Sequence, residues 1–223
     1  MIRSISEIWE YLEKEVFSVP STKKLFNQYN TQDQDPKVDL PNAATIRKNN
    51  LQNYLECFKE KPNFLIVAEA PGPWGARFSG VPLTTEEQLC SNEFPFRGEQ
   101  SSKCVLPQPG GISSCAQTAK IFWSVMQKFH PKFFAWDAVP FHPHKEGNGL
   151  SIRNPTKSEL HQFSDLLRKV HSAIEPEITI AVGKKAKKAL EIAAISPIRC
   201  VRHPAHGGKN KFKEEITEIL ACA

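Results

Sequence analysis

An unbroken apolar run, Phe64-Leu65-Ile66-Val67-Ala68, stops at Glu69-Ala70-Pro71-Gly72, and glycine and proline recur at Gly75, Gly80 and Pro82. A run of this length without alternation has the pattern of a strand buried on both faces. The residues that follow cannot continue a ladder, so the chain must turn out of the sheet there. A strand covered on both sides needs a helical layer on each, which points to an open α/β fold. In such folds ligands bind beyond the carboxyl ends of the strands. The Glu69 carboxylate is expected at a strand tip, with small residues after it that let a ligand backbone approach closely.

The pattern recurs. Residues 133–139 run into Pro140-Phe141-His142-Pro143-His144, residues 178–182 into Gly183-Lys184, and residues 198–202 into His203-Pro204-Ala205-His206-Gly207-Gly208. Helical periodicity and capping residues predict helices over residues 4–17, 43–59, 85–90, 113 or 114 to 129, 157–174, 184–194 and 209–220. Residues 27–42 read as a long polar loop. Residues 72–111, rich in Gly, Pro and Ser, form a loop region of a length that is usually functional or mobile. The expectation is one α/β domain over residues 1–223, a three-layer α/β/α sandwich around a mainly parallel four-stranded sheet, with an N-terminal helical region (1–60) and a core (63–220).

Composition narrows the partners without naming one. The net charge of +5 permits a phosphate-rich partner but does not demand it. No apolar run of about 18 residues occurs, so no membrane-spanning helix is expected. The first 17 residues mix acids with apolar residues at helical spacing, which reads as an amphipathic helix rather than a signal peptide. Six scattered cysteines without a CxxC pair suggest reduced thiols and a cytoplasmic setting.

In their order and spacing, Glu69-Ala70-Pro71-Gly72, Asp137 and His203-Pro204-Ala205 resemble the motifs of the uracil-DNA glycosylase superfamily. There a GEAPG-type loop ends the first strand, an Asn at the second strand reads the base, and an HPS-type loop carries a catalytic His. Subsidiary matches are Arg153-Asn154-Pro155-Thr156 and the junction Ala181 to Ala186, and the likeness spans roughly residues 63–220. It implies a strand order of 2-1-3-4 and a monomer acting on DNA that holds a damaged or deaminated base. The implied reaction is metal-free and cofactor-free hydrolysis of the N-glycosidic bond, with uracil the first candidate, in base-excision repair.

The same resemblance assigns roles. Glu69 would position water or stabilise positive charge on the sugar, and His203 would donate to the departing base. Asp137, Leu83 and Ala70 would form the base pocket. Asp137 replaces the family's Asn and Leu83 replaces a stacking aromatic ring. A protonated Asp137 can imitate the amide, whereas an ionised one can only accept hydrogen bonds and would suit an amino group such as cytosine N4, so with Asp137 and Leu83 an altered base preference stays open. Pro71, Gly72, Arg77, Arg153, Lys184, Lys185, Pro204, His206, Gly207, Gly208 and Lys209 would contact DNA, through loop amides, cations and a helix N-terminus. No apolar wedge follows His203.

Each residue also has a plainer reading. Asp137 can pair with Arg153, His142 or His144, His203 can be a capped strand-end histidine, Glu69 a solvated carboxylate, and the lysine run a solvated helix face. Two other function classes stay open. One is a binding module without turnover. The other is a metal hydrolase using His142, His144, His203 and His206 with Glu69 as base. The cysteine spacing does not match the iron–sulfur branch of the family.

Overall fold

The computed structural model describes residues 2–103, 114–205 and 207–221. In chain order its elements are α1 (Arg3–Leu12), which widens into a π-turn over Glu13–Phe17, β1 (Leu25–Phe26), α2 (Ala43–Glu56), β2 (Phe64–Ala68), α3 (Ala76–Ser79), α4 (Glu86–Leu89), α5 (Ser114–Met126), β3 (Phe133–Asp137), β4 (His142–Pro143), α6 (Lys157–Gln162), α7 (Ser164–Ile174), β5 (Ile178–Val182), α8 (Lys184–Ile192), β6 (Ile198–Val201) and α9 (Lys209–Ala221).

Four parallel strands in the order β3-β2-β5-β6 form the main sheet, which, counting these four alone, is the 2-1-3-4 order that the family resemblance implies. Every residue of β2 and β3 is buried, as a strand covered on both faces requires. Successive side chains alternate between the two layers. Phe133 packs its ring against Phe122 of α5, and Phe134 packs against Tyr54 of α2. Helix α2 also covers the outer edge of the sheet, where the Ala135 N–H of edge strand β3 donates to the Tyr54 hydroxyl at 2.7 Å. An edge amide satisfied this way offers nothing to another chain.

Three local readings need correction. The helix expected over residues 157–174 breaks at Phe163, whose ring turns inward onto Phe141 (centroids 5.1 Å apart). Strand β3 ends at Asp137, two residues short of the expected end, because the chain turns away to bring His142–Pro143 alongside Leu25–Phe26 as an antiparallel pair. Residues 27–42 are no free loop. Asn27 is fully buried, its amide donating to the carbonyls of Val16 (2.6 Å) and Val19 (2.7 Å), and the Tyr29 hydroxyl donates to the carbonyl of Gly80 (2.8 Å).

That segment also supplies counter-charges for two buried arginines. Arg47 Nη2 lies 2.5 Å from Asp39 Oδ1, and Arg77 pairs with Asp33 while its Nη1 stands 3.8 Å from Asp39. The Arg77 guanidinium sits 4.3 Å from the Phe26 ring centroid and 4.5 Å from that of Phe78. Among the described residues no helix is long and apolar enough to cross a membrane.

Removing one partner of a buried pair strands the other charge. Asp39→Ala is therefore expected to lower unfolding stability by about 3 kcal/mol or more, read from the denaturant midpoint. Glu175→Ala, which breaks the exposed pair with Lys61, should change it by less than about 1 kcal/mol.

Candidate active site

Parallel pairing brings all four strand ends to one edge. Ala68 pairs with Asp137, Val67 with Ala181, and Val182 with Val201, so the residues that follow these strands meet there. The ladder continues past the strands, with Ala138 N–H donating to the Ala68 carbonyl (2.9 Å) and Val139 N–H to that of Glu69 (3.1 Å). The edge holds a cavity of about 470 Å³. Glu69, Ala70, Pro71, Gly72, Leu83, Asp137, Arg153, Lys184, Lys185 and His203 all line it.

The two acids sit in different surroundings. Glu69 is partly exposed, and its Oε1 lies 3.9 Å from Lys185 Nζ. Burial raises its pKa, and the lysine pulls it back down. Asp137 is only 3% exposed, and no hydrogen bond or ion pair from a described residue reaches its carboxylate. Burial, reinforced by the nearby Glu69 charge, pushes its pKa up to about 8. The partners expected for Asp137 are engaged elsewhere. Arg153 forks onto Glu159 (2.6 and 2.7 Å) and donates to the carbonyls of His144 and Lys24. His142 Nδ1 bonds the Pro71 carbonyl at 2.7 Å, and His144 Nδ1 bonds that of Lys145 at 3.0 Å.

His142 thereby ties the loop after β2 to β4. A carbonyl only accepts, so Nδ1 must carry the proton, and burial holds the ring's pKa down near 3. His203 has the opposite tautomer. The Ala205 N–H donates to its Nδ1 at 3.2 Å, which leaves the proton on Nε2. Two glycines shape this corner. Gly183 has φ +88°, and a Cβ on it would lie 3.1 Å from His203 Cβ. A Cβ on Gly208 would lie 2.0 Å from the His203 carbonyl oxygen.

Leu83, also in the wall, adopts φ +57°, held by the Trp123 indole N–H donating to its carbonyl at 3.0 Å. A branched side chain rarely takes that conformation. Among the described residues no group of three or more His, Cys, Asp or Glu side chains is placed to hold a metal ion.

Some expected DNA contacts are corrected. Arg77 is fully buried, its guanidinium held between aromatic rings and acids, so it cannot reach a phosphate. Pro204 and Gly208 are buried and shape the His203 loop from within, whereas Gly207 and Lys209 are exposed. His206 lies outside the described residues. Sequence reasoning missed Ile152, at the rim beside Arg153 and 51% exposed. It is the one large hydrophobic residue recorded as exposed among the described residues. Its only signal was an isoleucine in a polar stretch, Ser151-Ile152-Arg153-Asn154.

The sequence model of the uracil DNA glycosylase superfamily matches residues 56–221. Among solved structures, wild-type SMUG2 from Pedobacter heparinus superposes with a TM-score of 0.64. That match covers 100% of this chain and 98% of that one at 15% identity, a likeness of fold. No curated protein matches the chain.

Two stability tests follow from the geometry. The folded chain binds the Asp137 proton more tightly than the unfolded chain, whose value is near 3.8. The contribution is therefore complete below that value and is lost as pH rises toward about 8. Asp137→Asn removes the loss, so its stability advantage over wild type should grow by several kcal/mol, roughly, between pH 4.5 and 8.5 in denaturant titrations. Gly208→Ala cannot be accommodated without moving the His203 loop. It should lower the melting temperature and raise proteolysis at that loop, whereas Gly207→Ala, with open space around it but φ +74°, should cost only about 1 kcal/mol.

Proposed function

The chain belongs to the uracil DNA glycosylase superfamily, and on that premise we propose that it hydrolyses the N-glycosidic bond of a deaminated base in DNA, uracil foremost, leaving an abasic site. The observation that carries this reading is the convergence of Glu69, Asp137 and His203 on one cavity at the carboxyl edge of the sheet. A base reaches such a cavity only when extruded from the stack.

In the proposed reaction the electron pair of the glycosidic bond leaves with the base. The oxygen of a water molecule adds to the sugar carbon, and Glu69 takes the proton that water loses. Lys185, close to Glu69, favours the ionised form that this role needs. The Nε2–H of His203 donates to the O2 of the departing base, where negative charge develops. Asp137 reads the pairing edge. Lys184, Lys185, Arg202 and Lys209 are exposed on the helix and loop ends at this edge and would meet phosphates. Ile152 projects at the rim, where it would fill the gap that the base leaves in the duplex. The protein is proposed to act as a monomer.

A second reading, binding without turnover, rests on Leu83, which gives an extruded base no ring face to stack on. Aromatic stacking is worth about 1–3 kcal/mol per base.

Purified protein is expected to create alkali-labile sites in oligonucleotides carrying uracil, hypoxanthine or xanthine, and none in those carrying only normal bases. Glu69→Gln and His203→Ala should each slow cleavage by about 10²-fold or more. Ile152→Ala should slow it about tenfold on duplex while sparing single strands, since only a duplex leaves a gap to fill. Silence of the wild type on every substrate, with salt-sensitive DNA binding retained, would select the second reading.

A further inference from the structure

We infer that Asp137 reads the base as a neutral carboxylic acid, its O–H donating to a ring carbonyl and its C=O accepting from the adjacent ring N–H, so that the pocket takes bases with this oxo–imino edge. That edge belongs to uracil, hypoxanthine and xanthine, the products of deaminating amino bases, as it does to thymine and guanine, so the neutral acid selects against amino bases such as cytosine and adenine. The inference rests on the glycosylase reading above and specifies how its pocket chooses.

The geometry excludes the alternatives to a bound proton. A buried carboxylate persists only with a cation or several donors around it. The neighbouring elements supply neither. After β2 comes Glu69, an anion that opposes a second negative charge. On α8, Lys185 is drawn to Glu69. Behind the cavity, Arg77 of α3 is paired with Asp33 and faces Asp39. The loop before α6 contributes Arg153, which is forked onto Glu159. On β4, His142 gives its Nδ1 proton to the Pro71 carbonyl. Tyr29, after β1, gives its hydroxyl proton to Gly80. Beyond β6, His203 accepts from Ala205 at Nδ1, and Arg202 stands exposed, as does Lys184. None of these forms an ion pair or hydrogen bond with Asp137, which lies in the cavity wall at 3% exposure. Burial and the Glu69 charge both favour the protonated form.

A neutral acid and an amide offer the same pair of groups, one donor and one acceptor. A carboxylic acid kept neutral by an apolar site can serve as a hydrogen-bond donor at neutral pH. A carboxylate at this position would face the base carbonyl oxygen with like charge. Recognition of an oxo–imino edge therefore depends on the proton, and it should fail as that proton leaves.

The test has two independent readouts. In protein labelled with ¹³C at aspartate carboxyls, the resonance absent from Asp137→Asn should stay at the protonated position through pH 7. It should then move between pH 7 and 9. A resonance titrating near pH 4 with ordinary aspartates overturns the inference, whatever the catalytic activity. In cleavage assays on uracil-containing oligonucleotides, wild-type single-turnover rates should fall about tenfold from pH 7 to 9, as the neutral fraction does. Asp137→Asn should lose this alkaline decline. A wild-type profile that stays flat, or parallel declines in both proteins, refutes the inference. Absence of cleavage by both proteins at every pH counts against the glycosylase reading instead, while the carboxyl titration still decides the state of Asp137.

Discussion

Register between β2 and β3 is the constraint on which the rest depends. Ala68 lies opposite Asp137, and the amides of Ala138 and Val139 extend the pairing to Ala68 and Glu69. Side chains alternate with a period of two, so a slip of one residue would exchange the two faces of β3. Phe133 and Phe134 would trade places between the layers against α5 and α2, which closely packed cores resist. Large aromatic residues in the core thus fix where two small acids stand at the edge. Two carboxyls at adjacent strand tips do not ionise independently, and their surroundings divide the work. Glu69 keeps a lysine nearby and partial access to water, while Asp137 has neither.

The cations are distributed by the same logic. Arg47 and Arg77 are taken up by Asp33 and Asp39 behind the cavity, and Arg153 by Glu159 at its side. These pairs fasten the segment after β1 to α2 and α3 and brace the entry to α6, and none of them reaches Asp137. The exposed cations, Lys184, Arg202 and Lys209, stand on the outward turns. Positive charge is thus held at the rim and excluded from the floor, an arrangement suited to a phosphate backbone outside and an uncharged base within.

Much of this was legible in the sequence. Strands β2, β3 and β5 show as largely apolar runs because both faces are buried, whereas β6, with Arg199 and Cys200 exposed, shows only by its place before the His203 loop. The burial of Arg77 was not legible. Its acids lie in a stretch whose composition reads as solvated loop, and contacts such as the Asn27 and Tyr29 hydrogen bonds make that stretch part of the core. The β1–β4 pair is two residues long on each side, too short for periodicity to register. Ile152 is an ordinary residue until the rim it stands on is known. The environment of Asp137 is likewise a property of what surrounds it, and its candidate partners proved engaged elsewhere.

Backbone strain adds a line of argument that is independent of charge. Among the described residues three other than glycine have positive φ: Leu83, Glu175 and Ala194. Glu175 caps α7 and Ala194 follows the cap of α8, where a left-handed residue is a common way to end a helix. Leu83 ends no helix. It lies in the cavity wall, and an indole N–H from α5 holds its carbonyl in place. An unpartnered buried acid and a strained leucine therefore line one cavity, while comparable backbone strain elsewhere has an ordinary cause. Local cost gathered in this way is characteristic of a surface shaped for a ligand rather than for stability. Replacing the acid by an amide would relieve one of these costs and leave the other, since the leucine's conformation is set by Trp123 and not by the charge of the floor.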